Sequence, residues 1–316
     1  MKDSRQRNLC PVCASGRFTT ITIRFDSSRI VRCSECGHIY INPIPMDKEQ
    51  RSLYKDYHSA LDTPDEERYM KRIDGWFNEP KGPYQFTLRI IEGESGFSGK
   101  YVLDVGCGPG RFLYECHKRG ALVTGVDFNL QAARLAKKYF NLDIISKSFE
   151  QAVDEGDLGQ SSFDIIFAFE VIEHMQKPIE FLNALYQLLV PGGLLFISTP
   201  NFYLYYSMGK SAAVVRQCPE HINFFEPPSL ERYLKQCHLD VVDITTVGQL
   251  TYSDRKKGVY MDTTIIRKLW QKLRDIRLVY FIKNIFFRVL DKHTEIIDTK
   301  SWNGVTLVCV ARKPMH

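Results

Sequence analysis

From Tyr101 onward, short apolar runs alternate with longer stretches of helical period. The runs are YVLDV, LVTGVD, LDIIS, FDIIFAF, LLFIST, DVVDITTV and VTLVCVA. Each has the length and the Val/Ile/Leu/Phe density of a buried strand. Strands that alternate with helices predict an α/β fold around a parallel sheet, with helices on both faces. The last two runs are separated by a long interval, about 251–300. Residues 46–98 read instead as polar and helical, punctuated at Pro64, Pro80, Gly82 and Pro83. The pattern divides the chain into an N-terminal unit (1–45), a helical linker or cap (46–98) and an α/β domain (99–316) with a helical insertion at about 251–300.

Within that insertion Leu269, Leu273, Ile276 and Tyr280 recur at helical spacing, Phe286 and Leu290 follow a short break, and basic residues fill the intervals. Two readings stand: a helical lid over the α/β body, or a basic amphipathic helix lying on a membrane surface. Charge sharpens the contrast. Residues 251–316 carry fourteen Lys/Arg against six Asp/Glu, while the whole chain is only +5. The remainder is therefore slightly acidic, which counts against a nucleic-acid-binding body. With 316 residues and 44% hydrophobic content the chain can build a sizeable core. No apolar run reaches the ~20 residues of a membrane span. The N-terminus is polar and charged and reads without a signal peptide, so the expected compartment is the cytoplasm, where cysteines stay reduced.

The N-terminal unit holds four of the nine cysteines, Cys10 and Cys13 in CPVC and Cys33 and Cys36 in CSEC, nineteen residues apart. Two C-x2-C pairs at this separation predict a four-cysteine zinc site. Four thiolates leave no open position, so the expected zinc is structural and helps fold a piece too small for its own core. Two disulfides or four free thiols are the alternatives.

YVLDVGCGPGRF is a strand, then Gly106, Gly108 and Gly110, then a helix from about Arg111. Glycines there let the backbone approach a ligand closely. The next strand runs into Asp127, ~20 residues on, the distance at which an acid holds two ribose hydroxyls. The loop reads G-x-G-x-G and follows Asp104, an acid unwelcome beside phosphates. An adenosine with a cationic tail fits it better than a dinucleotide.

VLDVGCGPGRF, GVDF, FDIIFAFEVIEH and LVPGGLLFISTPN, in that order, resemble the class I methyltransferases that use S-adenosylmethionine, over about residues 100–248. The resemblance implies a Rossmann-like sheet of seven strands whose last, VTLVCVA, is antiparallel. It implies that Gly106 and Gly108 line the methionine end, that Asp127 holds the ribose, that Ser148 and Phe149 lie near the adenine, and that Phe169 and Glu170 sit beside the cofactor. Asp104, Cys107, Gly110 and Phe128 complete the expected cofactor contacts. The ribbon running into CGHIYINPIPM is similar to a branch of small-molecule and sugar methyltransferases, whose Glu-His pair after the fifth strand corresponds to Glu220-His221 in CPEHINFFEP. Two departures matter: Cys218 stands where that branch uses a tyrosine, and its long additional C-terminal domain has no counterpart in this sequence. The expected partner is a small-molecule acceptor, a sugar or sugar nucleotide among others, methylated on oxygen or carbon.

Methyl transfer requires an aligned acceptor that loses a proton, and a histidine titrating near neutrality suits that task. His221, with Glu220 beside it, is the expected base; a surface histidine in a loop is the alternative. In FEVIEH, Glu170, Glu173 and His174 would share one face of a helical turn. With His221 they could hold a divalent ion such as Mg or Mn, as the similar E-x-x-E-H set of small-RNA 2′-O-methyltransferases does. His174 or a glutamate could instead act on the acceptor, or the group could be architectural. Aromatics in NFYLYY and at Phe224 and Phe225 either wall an acceptor pocket or pack the core. Two rivals remain: an RNA methyltransferase whose ribbon holds RNA, and a catalytically silent protein that binds the cofactor or docks at a membrane.

Overall fold

The computed structural model describes residues 8–24, 27–45, 66–94, 96–207, 220–248 and 304–315. The expected insertion at about 251–300 and Cys218 lie outside the described residues. None of the described helices is long and apolar enough to cross a membrane.

Three strands come first: β1 (Phe18–Ile23), β2 (Arg29–Cys33) and β3 (Ile39–Asn42). Two helices follow, α1 (Glu66–Phe77) and α2 (Pro83–Glu94). The α/β body then runs β4 (Tyr101–Val105), α3 (Arg111–Lys118), β5 (Leu122–Val126), α4 (Leu130–Phe140), α5 (Phe149–Asp154), β6 (Phe163–Phe169), a 3-10 turn (Ile172–His174), α6 (Pro178–Leu188), β7 (Leu189–Pro200), α7 (Phe202–Ser207), β8 (Asn223–Phe224), α8 (Pro227–Gln236), β9 (Asp240–Val247) and β10 (Thr306–Arg312).

The main sheet has the order β5-β4-β6-β7-β10-β9. β4, β5, β6 and β7 pair in parallel, and β10 lies antiparallel between β7 and β9, as expected of the last strand. LDIIS, expected as a strand, contributes one parallel bridge, Ile145 to Val126. Asn141 ends α4 in a left-handed conformation and Ser148 caps α5, so the run lies close between two helices and pairs with β5 only around Ile145.

Alternation along the strands explains why they read as unbroken apolar runs. Leu103, Val105, Ile166, Ala168, Leu195 and Ile197 face one core, against Leu182 and Leu185 of α6 and Leu230 and Leu234 of α8. Val102, Ile165, Phe167, Leu194 and Phe196 face the other, against Leu88 and Ile91 of α2 and Phe112 and Cys116 of α3. A strand covered on both faces has no polar side to show. Arg111 locks α1 to α3: its guanidinium meets Asp74 at 2.6 Å and Glu115 at 2.7 Å and lies 4.0 Å from the centre of the Phe77 ring.

The ribbon is a second, antiparallel sheet, β1-β2-β3-β8. Its fourth strand comes from the α/β body: Ile39 pairs with Phe224 and Tyr40 with Asn223. Its core likewise mixes Ile30, Val31 and Ile41 with Phe202, Ile222 and Phe224.

Phe196 is fully buried at the centre of β7 and its ring centroid lies 5.5 Å from that of Phe167. Phe196→Ala should cost about 3–5 kcal/mol of unfolding free energy, read as a lowered denaturant midpoint at unchanged slope.

Candidate functional site

At the C-terminal ends of β4, β5 and β6 the chain leaves the covered sheet and turns into loops. After β4 the chain turns through Gly106, Gly108 and Gly110, with φ of 72°, 52° and 74°. A Cβ on Gly106 would lie 2.6 Å from Val171 Cγ2, so both the backbone angle and the space demand glycine. Gly110 is the N-cap of α3. Gly106 is exposed and Cys107 and Gly108 are half-buried, so the loop's backbone is open to a ligand at the carboxyl edge of the sheet, the cleft of the methyltransferase reading.

Asp127, just past β5, is fixed against this loop. Its Oδ2 accepts from the Gly108 amide at 2.9 Å and its Oδ1 from the Asn129 amide at 2.9 Å. Burial raises its pKa and the two amides pull it back. Beside it Phe128 is exposed. Asp104 is buried beneath the loop, and burial, then the Asp127 charge, hold its carboxyl well above the usual range. The Ser148 hydroxyl is the N-cap of α5 and the Phe149 ring packs 5.1 Å from Phe181, so near the cleft this pair presents backbone rather than ring. Phe169, at the end of β6, packs edge-on to Tyr84 at 5.3 Å and to Phe112 at 5.4 Å.

FEVIEH does not form one helical turn. Glu170 has φ 56°, a left-handed conformation, and only Ile172–His174 are helical. The backbone reversal at Glu170 separates it from the other two. Its Oε1 accepts from the Ser198 hydroxyl at 2.8 Å, and the residue opens onto solvent while protein surrounds it on other sides. That desolvation raises its carboxyl to about 7, against the pull of Ser198.

Glu173, His174 and His221 do come together, each offering a ligand atom within 4.8 Å of the others. The four-member set expected with Glu170 is thus reduced to three. Glu173 is 1% exposed and neither of its carboxylate oxygens has a hydrogen-bond partner of good geometry, Thr199 being the one hydroxyl that pulls its pKa back. Burial, then the Glu170 charge, raise its pKa strongly. The imidazoles of His174 and His221 meet edge-on, centroids 4.9 Å apart. His174 Nδ1 lies 3.1 Å from the Glu220 carbonyl oxygen, which can only accept, so Nδ1 carries the proton and Nε2 the lone pair. Burial, then His174 and Arg24, lower His221 well below an ordinary histidine. Glu220 is buried, with Oε1 3.8 Å from His221 Nε2.

Four residues around this site stand outside the sequence expectations: Ser198, Arg24, His38 and Asn223. Only Asn223 carried a signal, an amide inside the apolar run INFF that must find partners if buried.

Cys10, Cys13, Cys33 and Cys36 also converge. Cys10 Sγ lies 3.5 Å from Cys36 Sγ, and Cys13 Sγ 3.5 Å from Cys33 Sγ, with no disulfide among them. Zinc–sulfur bonds of ~2.3 Å in a tetrahedron place sulfurs about 3.8 Å apart, so the donor set fits that ion. A shallow groove of about 660 Å³ lies over these knuckles, between Arg32, Glu35 and Arg232, and includes no residue of the cleft.

The glycine loop with its tethered acid, at the carboxyl edge of this sheet, has counterparts. Residues 78–244 match the family model of a methyltransferase domain. The chain belongs to that family. It is an S-adenosylmethionine-dependent methyltransferase. It is 31% identical over 168 residues to the ubiquinone biosynthesis O-methyltransferase of Coxiella burnetii, covering 51% of this chain and 72% of that protein. The enzyme of the same name from Azoarcus sp. is 29% identical over 167 residues, with coverage of 50% and 72%. The fold matches the Burkholderia thailandensis 1,6-didemethyltoxoflavin-N1-methyltransferase, solved with S-adenosylhomocysteine, at a TM-score of 0.51 and 17% identity over 89% of this chain and 97% of that one.

Asp127→Ala should weaken S-adenosylmethionine binding by roughly 1.5–3 kcal/mol, the scale of a charge-assisted hydrogen bond. Calorimetric titration checks this, and unchanged affinity removes Asp127 from the cofactor site.

Proposed function

We propose that the protein transfers the sulfonium methyl group to a hydroxyl of a small-molecule acceptor, with His221 taking the hydroxyl proton. The observation that carries this is the histidine pair. His174 and His221 stand 4.9 Å apart beside a buried carboxylate, following the strand ends that form the cleft. Burial lowers the pKa of His221, which leaves its lone pair unprotonated and makes it a weaker base than the near-neutral histidine expected from the sequence. The names of the curated relatives support oxygen as the methylated atom. They offer no support for the sugar or sugar nucleotide that the ribbon's resemblance implies.

The cofactor contacts follow from the same geometry. Asp127 is oriented by two amides toward ribose hydroxyls, Gly106 and Gly108 admit the methionine end, and Glu170 faces the cleft where a cationic sulfonium would stabilise its charged form.

One observation favours a second reading of the cluster. Glu173 is a buried carboxylate with two unpartnered oxygens beside two imidazoles, a donor set that suits a divalent ion. Such an ion would lower the pKa of an acceptor hydroxyl. Glu173, His174 and His221 would hold it, the Nδ1–H bond from His174 to Glu220 orienting the ring.

Transfer of labelled methyl groups from S-adenosylmethionine into fractionated cell extract identifies the acceptor, and label in RNA would overturn the small-molecule reading. On that acceptor, His221→Ala should lower kcat by roughly 10²–10⁴-fold with cofactor affinity nearly intact. Wild-type turnover would end the assignment of His221. We also infer that the four thiolates hold a structural zinc. Metal analysis of the purified chain should find about one zinc per molecule, and its removal should lower the melting temperature; a zinc-free chain of unchanged stability contradicts the site.

A further inference from the structure

The ribbon does more than sit beside the α/β body: it reaches the two segments that carry the histidines. His221 lies on the loop that enters β8, and His174 on the 3-10 turn after β6. Between them stands Ile222, bonded on both sides. Its amide donates to the Glu173 carbonyl at 2.9 Å, and its carbonyl accepts from the Ile41 amide of the ribbon at 3.0 Å.

Asn223 repeats this bridge with its side chain. Its Nδ2 donates to the Met175 carbonyl at 2.7 Å and, at 3.4 Å, to the Ile172 carbonyl. Those two acceptors fix which way the amide points, so Oδ1 accepts from His38 Nε2 at 2.9 Å. Both residues are buried, His38 at 0% and Asn223 at 1% exposure. Arg24 adds a bond from Nη1 to the His221 carbonyl at 2.9 Å, and Arg32 holds Glu226 through two bonds of 2.9 and 3.1 Å. β8 itself is two residues long, too short to set its own register.

We propose that the ribbon is a clamp on the methyl-transfer site: Asn223, held by His38, and Arg24 are positioning residues that set the spacing of the Glu173–His174 turn and the His221 loop. The proposal rests on the reading of His174 and His221 as the pair that activates the acceptor. A displacement of ~1 Å at such a pair is worth ~10²-fold in rate, so the clamp acts on kcat rather than on cofactor binding.

The test uses the full chain saturated with S-adenosylhomocysteine and labelled with ¹⁵N-histidine, at one fixed pH. In the wild type His174 should show the Nδ1–H tautomer. His38→Ala should shift it toward the Nε2–H form common in free imidazoles, with the affinity for S-adenosylhomocysteine changed less than about threefold, and in a parallel turnover assay with S-adenosylmethionine and the acceptor identified by labelling it should lower kcat by ~10²-fold. His38→Gln keeps an N–H that can reach Asn223 and should restore both signals. Arg24→Met, which keeps the stem and loses the bond to His221, should move the histidine signals in the same direction and serves if His38→Ala does not fold. A folded variant of either kind with wild-type histidine signals overturns the clamp. Wild-type turnover in His221→Ala would instead overturn the functional reading, whatever the histidine signals of the clamp variants show.

Discussion

Every central strand of the main sheet is covered on both faces, and that constraint fixes where chemistry can be. Val102, Ile165, Phe167 and Phe196 fill one side while Leu103, Ile166, Leu195 and Ile197 fill the other. A polar group placed along these strands would have to be desolvated without a partner. The strand ends are exempt, because there the chain leaves the sheet and its amides and carboxylates can meet a ligand. Gly106, Asp127 and Glu170 each follow immediately upon the last residue of β4, β5 and β6. The cleft is thus the complement of the core.

Two residues in that cleft hold left-handed backbone for different reasons. Gly106 does so freely, and Val171 occupies the space a side chain would need. Glu170 does so against the preference of a residue with a Cβ, a strain of ~1–3 kcal/mol. Its amide bonds to the Ser198 carbonyl at 3.0 Å and its carboxylate accepts from the Ser198 hydroxyl, so β7 holds both ends of the residue in place. The strain turns Glu170 toward the cleft and Glu173 toward the histidines. Two acids three residues apart thereby serve two different environments, one open and one buried.

The features readable from the sequence were those set by local spacing. Strand runs, the glycine loop, the acid ~20 residues later and the paired C-x2-C knuckles each specify their own geometry within a few residues. LDIIS has the pattern of a strand but, between the caps at Asn141 and Ser148, pairs with β5 only through the bonds of Ile145. FEVIEH misled because helical spacing says nothing of a positive φ at its second residue. The links from His38 to Asn223 and from Arg24 to His221 span more than 180 residues of chain. No periodicity encodes such a contact; only the demand that a buried amide be satisfied hints at it.

That demand also explains why the ribbon and the body are hard to separate. A four-cysteine knuckle can fold a short hairpin, yet β3 would then end as an open edge with unpaired amides. β8 covers part of that edge, and Phe224 and Ile222 complete the ribbon's apolar core. The body needs the same contact in return, because Asn223 satisfies the Met175 carbonyl just past the short 3-10 turn and adds a second donor to the Ile172 carbonyl. Each part closes the other's unsatisfied backbone, so the segment they share is more firmly held than a connecting loop would ordinarily be. It is also the segment that carries His221, which places the histidine pair at the junction of the two sheets.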